Sequence, residues 1–280
     1  MIRLDDVTYA YPDAPRPVLE RVSLDIAPGT ITGVVGASGA GKTTLAKIIA
    51  GFLPQVDGGD LSGTVEVGGK DVAALSLAEA VTQVGLVIQN PFNQISGARY
   101  TVREEIAFGM ENLGTPREEM ARRVGEIADL LRIADLLDRS PYALSGGQMQ
   151  LVAIASMLVL RTPVLVMDEP TSQLDPAGTR LVFDILNQLQ EAGVTVVIFE
   201  HKLELLHLHA DRMLVIADRG IAADGPATAV LADPRTVEWG IGSTRFTQAG
   251  RLARERGLLA ADLPLPVSFE QAAAVFGGGR

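Results

Sequence analysis

Apolar and polar positions change period several times along the chain, and each change marks an element. Residues 2–26 alternate apolar and polar positions around the turn-rich Tyr11-Pro12-Asp13-Ala14-Pro15, which reads as a β-hairpin. The run Ile31-Thr32-Gly33-Val34-Val35-Gly36 predicts a short buried strand, and 43–52 a helix with Leu45, Ile48, Ile49 and Phe52 on one face. β structure resumes over 64–67. From about 76 to 142 the pattern turns mainly helical, with 118–137 its clearest amphipathic, charge-laced helix. Beyond Ser145 come helix, strand (164–167), helix (177–192), strand (194–199), helix (203–209) and strand (213–216). Such alternation predicts an α/β fold with a mostly parallel sheet. Past Pro234 the composition shifts: the only Trp, Trp239, precedes a basic stretch (Arg245, Arg251, Arg254, Arg256) and the Pro-bounded Leu263-Pro264-Leu265-Pro266. The chain thus reads as a principal domain over 1–233, with a helical subdomain at about 76–143. A small C-terminal appendage over 234–280 is a candidate for dimer contacts, and its end, 277–280, is expected to fray.

Bulk composition narrows the partners. At 280 residues and 47% hydrophobic content, the chain suffices for one large globular α/β domain with an appendage. Its 34 acidic against 24 basic residues leave a formal charge of -10, which repels nucleic acid. Zero cysteines exclude disulfides and thiolate metal sites and fit a cytosolic protein. The start, Met1-Ile2-Arg3-Leu4-Asp5-Asp6, lacks the apolar core of a signal peptide. The longest apolar stretch, 151–167, is broken by Arg161 and Pro163 and falls short of the ~20 residues a membrane span needs. A soluble chain is expected, one that reaches a membrane only through another subunit.

Three segments carry candidate chemistry. Gly36-Ala37-Ser38-Gly39-Ala40-Gly41-Lys42-Thr43 fits GxxxxGK[ST] and lies between the predicted strand and helix, the context that motif requires. With Thr44 it forms a candidate phosphate seat: the glycines let backbone wrap the anion, Lys42 offers an ammonium, and the Thr43 hydroxyl can ligate Mg²⁺. In Leu144-Ser145-Gly146-Gly147-Gln148, paired glycines leave bare N–H groups at the start of a helix running from about Gln148, a second seat for phosphate. Strand 164–167 ends in Asp168 and Glu169. Successive strand residues face opposite ways, so Asp168 can reach a Mg²⁺ shell while Glu169 orients or deprotonates water. His201 follows another apolar strand, at a position suited to a γ-phosphate contact. His207 and His209 read as helix-surface residues, and three histidines without cysteine do not make a transition-metal site.

Together with Gln89, Ser172-Gln173-Leu174-Asp175 and His201, in matching order and spacing, these segments resemble the ATP-binding-cassette (ABC) ATPases. The resemblance implies a P-loop NTPase ABC cassette: a mostly parallel sheet with a β subdomain, a helical subdomain and a small C-terminal appendage. It implies ATP and Mg²⁺ as cofactors, with Glu169, His201, Gln89 and Lys42 catalytic and Thr43, Gln89 and Asp168 on the metal. Tyr11 stands where the family stacks an aromatic ring on adenine. In that family two cassettes sandwich two ATP molecules head to tail. Asp175 is implied as a nucleotide-binding residue, and Ser145, Gly146, Gly147 and Gln148 are then expected to serve nucleotide held by the facing cassette, so that ATP joins the dimer and hydrolysis releases it.

A narrower likeness lies within the family. The segment from Val84 to Ile95, containing Gln89-Asn90-Pro91-Phe92-Asn93-Gln94, is similar to the QNPxxQ segment of energy-coupling-factor (ECF) transporter ATPases. Thr101-Val102-Arg103-Glu104-Glu105-Ile106-Ala107-Phe108-Gly109 and Glu111-Asn112-Leu113-Gly114 look like that group's continuation. So does the tail from Arg251-Leu252-Ala253 to Phe269-Glu270. This implies an importer of a vitamin or metal ion, with the chain peripheral on the cytoplasmic face of the membrane. Its implied partners are a second ABC ATPase subunit, a membrane-embedded coupling protein and a membrane substrate-binding protein, with no nucleic acid. The chain departs from the family at Met149 and Leu151, where a basic pair is usual, at Gln173, where a small residue is commoner, and at Phe92, where ECF members carry an acid. Two other readings stay open: the ATPase of a conventional binding-protein-dependent importer, and a non-transport ABC ATPase. A single cassette without a long heptad insertion, together with the acidic charge, weighs against the latter.

Overall fold

The computed structural model describes residues 1–260 and 262–277. The alternating N-terminal pattern folds as antiparallel β1 (Ile2–Ala10) and β2 (Leu19–Ile26), which turn Ile2, Leu4, Val7, Leu19 and Val22 inward. The chain enters a second sheet through β3 (Ile31–Gly36), buried at every position, and leaves it through α1 (Lys42–Ile49). It then returns with β4 (Asp60–Val67) and β5 (Lys70–Asp71), completing a four-stranded sheet of order β2-β1-β4-β5.

After α2 (Leu77–Gln83), β6 (Val84–Val87) rejoins the central sheet. A helical layer of α3 (Val102–Asn112), α4 (Arg117–Leu130) and α5 (Gly146–Leu158) follows. Next come β7 (Val164–Asp168), α6 (Pro176–Glu191), β8 (Thr195–Phe199), α7 (Leu203–His209), β9 (Arg212–Ala217) and β10 (Gly220–Gly225). The six-stranded sheet has the order β10-β9-β3-β8-β7-β6, and only β10 pairs antiparallel. The α/β class and the mostly parallel sheet are as expected. In such a sheet the crevice beyond the carboxyl ends of the strands is where ligands bind, and Gly36, Asp168 and Phe199 all end strands there.

The structure departs from the pattern-based expectation in the stretch read as mainly helical. Val84-Gly85-Leu86-Val87 is a strand, buried throughout, because an edge of the parallel sheet needs it. So short an apolar run has no period that separates strand from helix. The helix expected to reach 137 stops at Leu130, where Arg132 adopts a left-handed φ of 57°.

The last stretch holds α8 (Ala227–Ala232), α9 (Arg245–Glu255) and α10 (Phe269–Gly277). Trp239 and Val267 belong to the main core, in one cluster with Leu203 and Leu206 of α7, while Ala253, Leu259 and Leu265 form a small satellite. Of the end expected to fray, Gly277 closes α10 and 278–280 lie outside the described residues. No described helix is long and apolar enough to cross a membrane.

Candidate functional site

The site begins where β3 turns into α1. Two glycines are sterically required there. A Cβ at Gly36 would lie 2.6 Å from the Ile216 carbonyl oxygen, and Gly41, at φ 105°, would drive one to 2.8 Å from Leu19 Cδ2. Gly41 occupies the N-cap without a side-chain cap bond, so the first N–H groups of α1 stay open to an anion. Lys42 is buried and its Nζ donates to the Gly36 and Ala37 carbonyl oxygens at 2.9 and 3.1 Å, so the loop holds its own ammonium in place. Burial pushes the Lys42 ammonium below its ordinary range, and the Glu169 and Asp168 carboxylates oppose that shift.

Across the crevice, Thr43 Oγ1 donates to Asp168 Oδ2 at 2.6 Å. Asp168 is buried and its Oδ1 has no partner among the described residues, while burial raises its carboxyl above the usual range. An orphaned buried carboxylate oxygen is costly unless something fills its coordination. Asp168 and the Thr43 hydroxyl line a cavity of about 210 Å³ that Gln89 also borders. These hard oxygen donors suit a Mg²⁺-type cation.

Glu169 takes a left-handed φ of 47°, and its N–H donates to the Phe199 carbonyl of the neighbouring strand at 2.9 Å. That turn sends its carboxylate away from Asp168. Oε2 accepts from Gln89 Nε2 at 2.7 Å, and Oε1 lies 2.9 Å from His201 Nε2. Three residues from the ends of β6, β7 and β8 thus meet at one carboxylate. Beside them a cavity of about 350 Å³ is lined by Tyr11, Ser38, Gly39, Lys42, Gln89 and Glu169 among others. The Tyr11 ring stands edge-on to Tyr9 at 5.0 Å and its hydroxyl is 3.2 Å from Thr44 Oγ1, which fixes an aromatic surface on this cavity.

Ser145, Gly146, Gly147 and Gln148 form a separate group that does not line this cavity. Ser145 caps α5 by accepting from the Gln148 N–H at 3.3 Å, and Gln148 Oε1 accepts from the Ser145 N–H at 3.0 Å. The helix therefore starts at Gly146 rather than Gln148, with both glycines in its first turn. A Cβ at Gly147 would come within 3.1 Å of the Gln173 carbonyl oxygen, so this turn abuts the 172–175 loop. In that loop Asp175 caps α6, its Oδ1 accepting from Gly178 N–H at 2.7 Å. Met149 is buried in the core and Leu151 packs against it.

Residues not singled out by pattern support these groups. Buried Glu200 accepts from the His201 and Lys202 N–H groups at 2.8 and 3.3 Å and from the Thr171 hydroxyl, which shapes the turn that presents His201. Gln94 accepts from Ile88 N–H at 3.0 Å and donates to Leu86 and Ala153 carbonyls at 3.2 and 3.4 Å, tying the Gln89 loop to α5. The QNPxxQ pattern contained Gln94, but nothing in it assigned that tie. His207 and His209 are not the surface residues expected. Both are half-buried, and His209 packs on Phe183 at 5.0 Å between ring centroids and hydrogen-bonds Asn187, because α7 lies against α6.

Residues 19–172 match the family model described as "ABC transporter", just over half of the chain. Over 262 residues the chain is 38% identical to an energy-coupling factor transporter ATP-binding protein of Bacillus subtilis, covering 92% of this chain and 90% of that one. Among solved structures it is similar to a cassette from Clostridium perfringens described as part of the ABC transporter complex cbiONQ. That likeness has a TM-score of 0.73 at 27% identity, over 90% of this chain and 98% of the other. It is also similar to the ATP-binding cassette MJ0796, solved as a post-hydrolysis dimer with ADP and Pi: TM-score 0.72, 25% identity, 81% of this chain and 99% of that one. Other relatives are longer, and the chain spans only 38% to 43% of their length.

Proposed function

The chain belongs to the ABC transporter ATPase family, and on that premise we propose that it is the ATP-hydrolysing subunit of an ECF-type importer. The observation that carries the hydrolytic part is the convergence of Gln89 and His201 on Glu169 beside the phosphate loop. ATP lies along 36–44 with its triphosphate on the open N–H groups of α1 and its base against Tyr11. Lys42 exchanges its two carbonyl acceptors for the β- and γ-phosphate oxygens. Thr43, Asp168 and Gln89 would hold Mg²⁺, which would supply charge stabilisation to the phosphate oxygens. Glu169 orients the attacking water and accepts its proton as the bond to the leaving ADP breaks, and His201 steadies the γ-phosphate. The half-buried first turn of α5, with exposed Ser145 at its cap and Gly146 to Gln148, and Asp175 close over nucleotide held by a facing cassette. ATP then favours the paired state, and its loss as ADP and phosphate releases it.

Asp168→Asn tests the metal assignment. Losing the charge is expected to raise the Mg²⁺ concentration for half-maximal activity about tenfold or more, while metal-free nucleotide binding is kept. An unchanged Mg²⁺ requirement would remove Asp168 from that role.

The ECF part is supported by the length of the likeness to the Bacillus subtilis protein, which covers 92% of this chain and so extends into the tail. It is supported also by the surface around the QNPxxQ segment. Phe92, Tyr100 and Tyr142 are 59%, 88% and 70% exposed, and Tyr142 donates to the Gly97 carbonyl at 3.2 Å. Beside them Arg99 pairs with Glu111 over the Phe108 ring. Solvent-facing aromatics around an anchored Arg are the composition of a protein-docking patch. The membrane-embedded coupling protein docks here, holding the ATPase pair on the cytoplasmic face of the membrane, and a small membrane protein carries the vitamin or metal ion. Phe92→Ala and Arg99→Ala are expected to lower transport per ATP about tenfold while leaving ATP hydrolysis intact. Normal transport in both variants would refute docking at this patch.

A further inference from the structure

We infer that the C-terminal appendage positions the hydrolytic centre, with Arg245 and Gly240 as its points of contact; the inference rests on the ATPase reading above. Arg245 opens α9 and grips Glu204 of α7. Its N–H and Nε donate to Glu204 Oε1 at 3.2 and 2.8 Å, and Nη2 donates to Oε2. Two parallel guanidinium bonds fix direction as well as distance. Glu204 lies in the first turn of α7, and that turn is anchored on the segment that carries His201. Leu203 N–H donates to the His201 carbonyl at 3.0 Å, and Leu206 N–H to that of Lys202 at 3.1 Å. One helical turn therefore connects the appendage to the imidazole that meets Glu169.

The second contact reaches the phosphate loop. Gly240, at φ 68°, passes so close that a Cβ there would lie 3.0 Å from Ala37 Cβ. The Ala37 carbonyl is one of the two that hold Lys42. This approach is rigid, because neighbouring Trp239 is 8% exposed in the core beneath α7 and carries the Arg235 guanidinium 4.8 Å over its ring. Between α7 and the start of α9 the packing is open. A cavity of about 610 Å³ separates them, bordered by His201, Leu208, Ile241, Thr244 and Gln248 among others. The Arg245–Glu204 pair spans the rim of that space, so releasing it frees α7 to shift into the cavity and loosens His201 from Glu169.

The test is steady-state kinetics on the full chain with Mg²⁺ and ATP. Arg245→Glu and Glu204→Arg are each expected to lower kcat roughly two- to fivefold with KM and nucleotide Kd unchanged, the size an exposed bidentate pair can carry. The doubly reversed E204R/R245E chain is expected to restore kcat. A stabilising role alone would move the melting temperature and leave kcat in place. Gly240→Val, pressing on Ala37 instead, is expected to raise KM. Should Arg245→Glu fail to fold, Glu204→Gln removes the same pair with little change of shape. Wild-type kcat in the single variants, or a double variant no better than either, would overturn the inference. If the wild-type chain hydrolyses no ATP with Mg²⁺, the ATPase reading beneath it fails first.

Discussion

Glu169→Gln is expected to bind ATP, stop turning it over and accumulate as an ATP-joined dimer. Phosphate release should fall by roughly 10²- to 10⁴-fold, the range for losing a positioned general base. The geometry explains why the loss is selective. The hydrogen bonds that hold Lys42 go to the Gly36 and Ala37 carbonyls rather than to Glu169, so the nucleotide seat survives. Its carboxylate is instead the single acceptor on which Gln89 and His201 converge. A neutral amide keeps the volume but neither takes the proton of water nor orders both neighbours. Removing a negative charge beside the γ-phosphate also eases repulsion, which favours the bound state. Phosphate release and size-exclusion chromatography with ATP measure both halves. Robust turnover would take Glu169 out of its assigned role.

Lys42→Ala should fail one step earlier, at binding. A buried ammonium released from two carbonyls to phosphate oxygens makes charge-assisted hydrogen bonds, each about 1.5–3 kcal/mol. Their loss is expected to weaken ATP binding about ten- to a hundredfold, measured by calorimetry or nucleotide fluorescence. The chain should still fold. Lys42 only opens α1, while Leu45, Ile48 and Ile49 hold that helix in the core. Unchanged ATP affinity in a folded Lys42→Ala protein would show that 36–44 is not the phosphate seat. The two variants therefore separate binding from chemistry, and a protein that merely held nucleotide would distinguish only one of them.

How much of this was legible in sequence depends on how local each feature is. The phosphate loop is contiguous and needs glycines at fixed places, so Gly36 and Gly41 could be recognised before their close approaches to Ile216 and Leu19 were visible. The meeting of Gln89, Glu169 and His201 was legible only through the order and spacing of motifs, because no local pattern joins residues from three separate strand ends. Strand β6 was missed because a four-residue apolar run has no period, and its identity comes from pairing with β7. Gln94 and Glu200 were missed for a related reason. Their work is to bond backbone that folding brings near, including Ala153 on α5, and a glutamine or glutamate looks the same in sequence whether it faces solvent or a buried N–H. His209 drew its environment from α6 in the same way. The appendage changed most in meaning: a compositional shift at Pro234 marks its start, yet Trp239 and Val267 sit in the main core.

The central proposal is that this ATPase energises an ECF-type membrane complex, and co-purification tests it most directly. Tagged Glu169→Gln protein would be drawn with ATP from detergent-solubilised membranes, and its partners identified by mass spectrometry. One integral membrane coupling protein together with a small hydrophobic substrate-binding protein is expected. A pair of permeases with an extracytoplasmic binding protein, or no membrane protein at all, would contradict it.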